Sequence, residues 1–117
     1  MESRELMQKI TQCMSDKKAV DLKVLEIGSL TTLADYFVIC SGTSTPHMKA
    51  IADEIDDKLS EVGEHPLGRE GANTAYWILL DYGSVIVHIF NAESREFYSI
   101  ERLWSDATEI DVNDWID

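Results

Sequence analysis

Two apolar runs, Tyr76 to Asp81 and Val85 to Phe90, are separated only by Tyr82-Gly83-Ser84. Both are too short for helices and rich in aromatic and β-branched residues, so both read as strands, and so brief a connection must return the chain antiparallel beside itself. Such a hairpin dictates a sheet, and the rest of the chain has to supply its partners and its cover. Strand side chains alternate, so Tyr76, Ile78 and Leu80 share one face while Trp77, Leu79 and Asp81 share the other; Val85, Val87, Ile89 against Ile86, His88, Phe90 repeats the pattern. Both faces are apolar. Either helices bury both, which makes Trp77 an ordinary core aromatic, or part of the Trp77, Leu79, His88 and Phe90 face stays open and binds another protein, because aromatics concentrate binding energy.

The remaining elements follow from periodicity. Leu6, Ile10, Cys13 and Met14 line one side of a helix with Ser3 as its N-cap and Lys17 and Lys18 near its C-terminal end. Val20, Leu22 and Val24 alternate with Asp21 and Lys23 in a half-buried strand that runs to about Ile27 and stops at Gly28-Ser29. Tyr36 to Cys40 is continuously apolar and reads as a central strand. Met48, Ile51, Ala52, Ile55, Leu59 and Val62 form a helical stripe, with Thr45 as cap, Pro46 as first residue and Gly63 as stop. The stretch from Gly63 to Asn73, with Pro66, Gly68 and Gly71, reads as an exposed loop in which Arg69 and Glu70 are solvated. Asn91 caps a last helix expected to reach Trp104. The order α-β-β-α-β-β-α predicts an α/β (α+β) fold, a mixed β-sheet flanked by helices.

A chain of 117 residues, 44% hydrophobic and 27% charged, has enough apolar material for one core and little for a second. It has no apolar run approaching the roughly 18 residues of a membrane span, and it begins MESRELMQ, with acids where a leader would carry bases, so no membrane partner and a cytoplasmic location are expected. Cys13 and Cys40 fall on apolar stripes and read as reduced core residues. The 22 acids against 10 bases give a net charge of −12, which repels phosphate backbones and disfavours direct nucleic-acid binding. Acids without a single base mark residues 106–117 (Asp106, Glu109, Asp111, Asp114, Asp117), so the folded part is placed at 1–105 and the tail is expected to be a solvated, frayed appendage. Its Val112, Trp115 and Ile116 are the exception, being able to anchor it on a neighbouring chain.

Chemistry is sparse. The turn Ser41-Gly42-Thr43-Ser44, between a strand and a helix start, offers Gly42, Thr43 and Ser44 as a weak anion or nucleotide candidate through backbone amides. It lacks the Walker lysine, Lys49 falling inside the helix, and a capped turn explains it equally well. His47, His65 and His88 have no ligand partner at metal-binding spacing, Asp35 suits a strand-start cap, and no nucleophile is set up beside His88. No catalytic residue, metal or cofactor is expected.

One combination is distinctive: Ala34-Asp35-Tyr36-Phe37-Val38-Ile39, Ser41-Gly42-Thr43-Ser44 with His47, Glu70-Gly71, Trp77, Leu80-Asp81-Tyr82-Gly83, Val87-His88-Ile89-Phe90, Arg95, Tyr98 and Leu103-Trp104. Over about residues 3 to 105 it resembles the ribosomal silencing factor family (RsfS, or Iojap). The resemblance implies a non-catalytic protein that binds the large ribosomal subunit at ribosomal protein L-fourteen, blocks joining of the small subunit, and represses translation when nutrients are short. It further implies contacts through the sheet face and neighbouring helix, here Trp77, Leu79, His88, Phe90, Arg95, Tyr98 and Glu101. The family also looks like a nucleotidyltransferase fold without its catalytic carboxylates; Asp53 and Asp56 lie inside a helix, misplaced for two-metal chemistry. A nucleotide-binding or nucleotidyl-transferring enzyme using the Gly42–Ser44 turn is the rival reading, and a homodimer of the free protein through the apolar face is a third.

Overall fold

A computed structural model of the protein describes residues 1–71 and 76–116. The chain runs α1 (Ser3–Asp16), β1 (Val20–Glu26), β2 (Tyr36–Ser41), α2 (Thr45–Ser60), β3 (Gly68–Glu70), β4 (Trp77–Asp81), β5 (Val85–Phe90), α3 (Ala92–Tyr98), α4 (Ile100–Leu103) and β6 (Thr108–Ile110). The strands form one six-stranded sheet in the order β3-β4-β5-β2-β1-β6. Every neighbouring pair is antiparallel except β2 and β5. The expected hairpin is β4–β5, with Trp77 opposite Phe90 and Asp81 opposite Ile86. Its turn closes where the Gly83 amide, at φ 81°, donates to Asp81 Oδ1 at 2.8 Å, a backbone angle that glycine adopts without a Cβ clash.

Alternation along the strands divides the core as the sequence predicts. Val38, Cys40, Ile78, Leu80, Val85, Val87 and Ile89 face a layer made by α1 and α2, whose Leu6, Met7, Ile10, Cys13, Met14, Met48, Ile51, Ile55 and Leu59 are all buried. The other face carries a smaller cluster, Leu25, Ile27, Ala34, Phe37, Ile39, Ile86, Phe90 and Ile100. Cys13 and Cys40 are free thiols inside the core, and burial pushes them up to about 11 and about 12, so neither is a ready nucleophile.

Several local expectations are corrected. Glu2, not Ser3, precedes α1, without a side-chain cap. Ser44, not Thr45, caps α2: its Oγ accepts from the His47 amide at 3.1 Å, leaving Pro46 inside the first turn, where its missing N–H costs nothing. The loop after α2 contains β3, and Arg69 is not solvated; its guanidinium meets Asp53 at 2.8 Å and Asp56 at 3.4 Å because β3 brings it beside α2. Asn73, the expected loop end, lies outside the described residues.

The tail is the largest departure. Instead of fraying, β6 pairs with β1, Val24 opposite Ile110 and Glu26 opposite Thr108. Ile110, Val112 and Trp115 pack against the main core, the Trp115 Nε1 donates to the Thr11 hydroxyl at 2.8 Å, and Arg4 stacks 5.6 Å from the indole. Apolar residues spaced between acids can thus be partly buried while the carboxylates remain in water, and the anchor is the chain's own first helix. Asp117 lies outside the described residues.

Candidate partner-binding face

The second face of the sheet is only partly covered. Its cover is the last helix, which the sequence predicts as continuous through Trp104 but which breaks at Ser99, a left-handed residue (φ 48°, ψ 47°). Asn91 does cap it, Oδ1 accepting from the Ser94 amide at 2.8 Å. The break leaves α3 and α4 too short to span the face. Ile100 and Trp104 cover the Phe37 side, with Phe37 and Trp104 edge to face at 5.4 Å.

On the other side lies an aromatic stack. The Trp77 ring sits 4.9 Å from Phe90 and 4.7 Å from Tyr98, and its Nε1 donates to His88 Nδ1 at 3.2 Å. Phe97 stands edge-on to Tyr98 at 5.1 Å. Outward from this stack the surface is apolar: Phe97 is 81% exposed, Tyr76 46% and Tyr98 39%. Hollows of about 220 Å³ (Glu70, Gly71, Tyr76, Trp77, Leu79) and about 450 Å³ (Tyr76, Asn91, Glu93, Ser94, Phe97, Tyr98) flank Tyr76.

The residues singled out in the sequence therefore separate. Trp77, Leu79 and Tyr98 come together at the surface. His88 and Phe90 share their face, as alternation requires, but are buried beneath Trp77 and Tyr98, so they shape the surface without forming it. Arg95 and Glu101 are turned to each other, Nε donating to Oε1 at 2.8 Å. Burial pushes Glu101 up, but the Arg95 hydrogen bond, a backbone hydrogen bond and nearby positive charge outweigh it and hold the carboxyl below its ordinary value. The sequence starts the strand at Tyr76 and places it on the Ile78 face, but β4 begins at Trp77 and Tyr76 lies exposed before it, beside Trp77; Phe97 escaped the sequence reading, its available signal being an aromatic beside Tyr98 where a helix cannot bury both.

Among the described residues of this face, His88 is the one deeply buried titratable group. Its Nδ1 accepts from Trp77, which leaves the proton on Nε2, an atom without a hydrogen-bond partner among the described residues. Burial lowers the imidazole from 6.5 to about 4. The unfolded chain takes up this proton near 6.5 and the folded chain only near 4, so stability is fully present above 6.5 and falls as the pH drops through that window. The expected loss is on the order of 3 kcal/mol. Urea midpoints measured from pH 7 down to pH 4.5 check it; His88→Gln should flatten the upper part of the profile, and an unchanged slope in that variant would refute the assignment.

Two of the three backbone amides of the Gly42–Ser44 turn, those of Gly42 and Thr43, are engaged within the chain. The Gly42 amide donates to the Phe90 carbonyl at 2.8 Å, the Thr43 amide to His47 Nδ1 at 2.9 Å, and the Met48 amide to the Ser44 carbonyl at 2.9 Å. Gly42 is required by proximity, since a Cβ there would lie 2.6 Å from Met48 Cγ and 3.0 Å from its amide nitrogen. The capped-turn reading fits this geometry. Among the described residues no three His, Cys, Asp or Glu side chains gather as metal ligands would, and no helix is long and apolar enough to cross a membrane.

Comparison with known proteins gives a consistent result. The family described as "Ribosomal silencing factor during starvation" matches residues 1–117, tail included. The ribosomal silencing factor RsfS of Bacillus subtilis is 36% identical over 113 residues, 97% of this chain and 96% of that protein. A mouse protein named "Mitochondrial assembly of ribosomal large subunit protein 1" is 29% identical over 99 residues, 82% of this chain and 43% of that one. A crystal structure of a Chromobacterium violaceum protein superposes with a TM-score of 0.87 at 33% identity, covering 90% of this chain and 88% of that one.

Proposed function

Because the chain belongs to the ribosomal silencing factor family, we propose that it is a cytoplasmic, non-catalytic repressor that binds the large ribosomal subunit through ribosomal protein L-fourteen and sterically prevents the small subunit from joining, most of all when nutrients are short. The observation that carries the reading is an aromatic surface in which Tyr76, Phe97 and Tyr98 are exposed beside a half-buried Trp77, over a sheet face left partly open at β4. Aromatic anchors of this kind dominate binding energy at protein interfaces. A net charge of −12 favours a basic protein partner and keeps the domain off the surrounding RNA. The name of the mouse relative, which refers to the large subunit, points the same way. Occlusion needs no chemistry, in keeping with a turn whose Gly42 and Thr43 amides are already engaged. When no ribosome is present, the same face can pair with a second copy in a homodimer.

The test is co-sedimentation of the purified chain with isolated large and small subunits, followed by light scattering as the subunits are mixed. Pelleting with the large subunit alone and a dose-dependent loss of subunit joining are expected. Equal pelleting with both, or with neither, would sink the reading.

A further inference from the structure

Burial of an apolar stripe does not explain why α3 stays on the sheet. The helix has 7 residues, none of them buried, and a helix that short is marginal in water on propensity alone. Asn91 fixes its start. Its end is reversed by the left-handed Ser99, and the chain passes directly into α4, which holds 4 residues.

Arg95 bridges that reversal. Its Nε donates to Glu101 Oε1 at 2.8 Å, and its Nη1 reaches Ser41 Oγ at 3.1 Å and the Val20 carbonyl at 3.4 Å. One planar guanidinium thus joins α3 and α4 to the last residue of β2 and the first of β1. Val20 is accessible to it where β1 bulges, the pairing register shifting between Val20 and Lys23 with Asp21 at φ 51°. The Arg95 side chain is 12% exposed and that of Glu101 24%, and both line a hollow of about 400 Å³ with Val20 and Ser41, to which Tyr76, Trp77 and Tyr98 do not contribute. Tyr98, one turn beyond Arg95, lies 4.7 Å from Trp77 and 6.3 Å from Phe90.

We propose that Arg95 and Glu101 are positioning residues: as a pair they hold the α3–α4 reversal against the sheet, seat Tyr98 on Trp77, and so set the shape of the aromatic surface without touching what binds there. The proposal rests on the reading of that surface as the ribosome-binding face. A fork-shaped donor is needed for the task, since it must reach one partner along Nε and others along Nη1 at once.

The test uses the full chain with Glu101→Ala, Glu101→Gln, Arg95→Ala and the double alanine variant, each read in two ways. One is the indole N–H resonance of Trp77 in the free protein; the other is affinity for isolated large subunits. Both single alanine variants should shift the Trp77 resonance and weaken binding by about tenfold, the scale of one charge-assisted hydrogen bond. Glutamine at 101 keeps an oxygen for Arg95 Nε and should recover most of both effects. The double variant should bind no worse than the weaker single one, because paired residues lose their interaction once. An unmoved Trp77 resonance in the alanine variants would overturn the proposal, as would glutamine weakening binding as much as alanine, which is the mark of a carboxylate in contact with a basic partner. If the wild-type chain fails to bind large subunits, the ribosome reading falls by itself, and the resonance shift with its recovery by glutamine still decides whether the pair seats Tyr98.

Discussion

Replacing Trp77 by alanine is expected to weaken binding to the large ribosomal subunit by about a hundredfold or more, the effect of removing a central aromatic anchor. Trp77 occupies the middle of the stack, between Phe90 below and Tyr98 beside it, and it borders the hollow that runs to Glu70 and Leu79. The substitution also uncovers His88 and removes the donor to its Nδ1, so some stability should be lost with the affinity. Because the indole is only half-buried, that loss should fall below the roughly 3–5 kcal/mol of a fully buried Trp→Ala change. Trp77→Phe helps separate the two effects, keeping an aromatic ring in the stack while dropping the N–H and part of the ring area. Co-sedimentation titrations beside urea denaturation curves measure both. A cooperatively folded Trp77→Ala protein that binds as tightly as wild type would remove this face from the interface.

Phe90→Ala is expected to be the most damaging core change on this side of the sheet, costing about 3–5 kcal/mol. The ring is completely buried and packs beneath both Trp77 and Tyr98. Its strand β5 lies inside the sheet between β4 and β2, so the surroundings have little freedom to collapse into the cavity. Against a typical total of about 5–15 kcal/mol, this would lower the melting midpoint by more than about 10 °C. Calorimetry checks it. A shift of only a few degrees would mean that α3 can settle onto the sheet and that the stack is less rigid than its ring spacings imply. Affinity should fall too, through the loss of the floor under Trp77.

Elements made by local rules were the legible ones. The β4–β5 hairpin, the central β2 and the α2 stripe follow from period and turn spacing, which involve only near neighbours in the chain. Those made by distant partners were hidden. β6 holds 3 residues among acids and becomes a strand because β1, far away in the sequence, is there to pair with it. β3 is equally short and is drawn in by β4 and by the Arg69 contacts to α2. The break at Ser99 carries no glycine or proline to announce it. For the candidate site, alternation placed Trp77, Leu79, His88 and Phe90 on one face correctly, yet which of them reach solvent depends on where α3 lies. That in turn depends on Arg95 and Glu101, whose separation of six positions belongs to no helical pairing rule.

The two outermost strands, β3 and β6, have 3 residues each and carry charge at Arg69, Glu70 and Glu109. A sheet grows by adding a strand along an unpaired backbone, and stubs this brief and charged offer an incoming strand almost no ladder. The lateral route to fibrils or runaway self-assembly is thereby obstructed at both ends. A chain that exposes an aromatic surface can then accumulate without its sheets joining side by side.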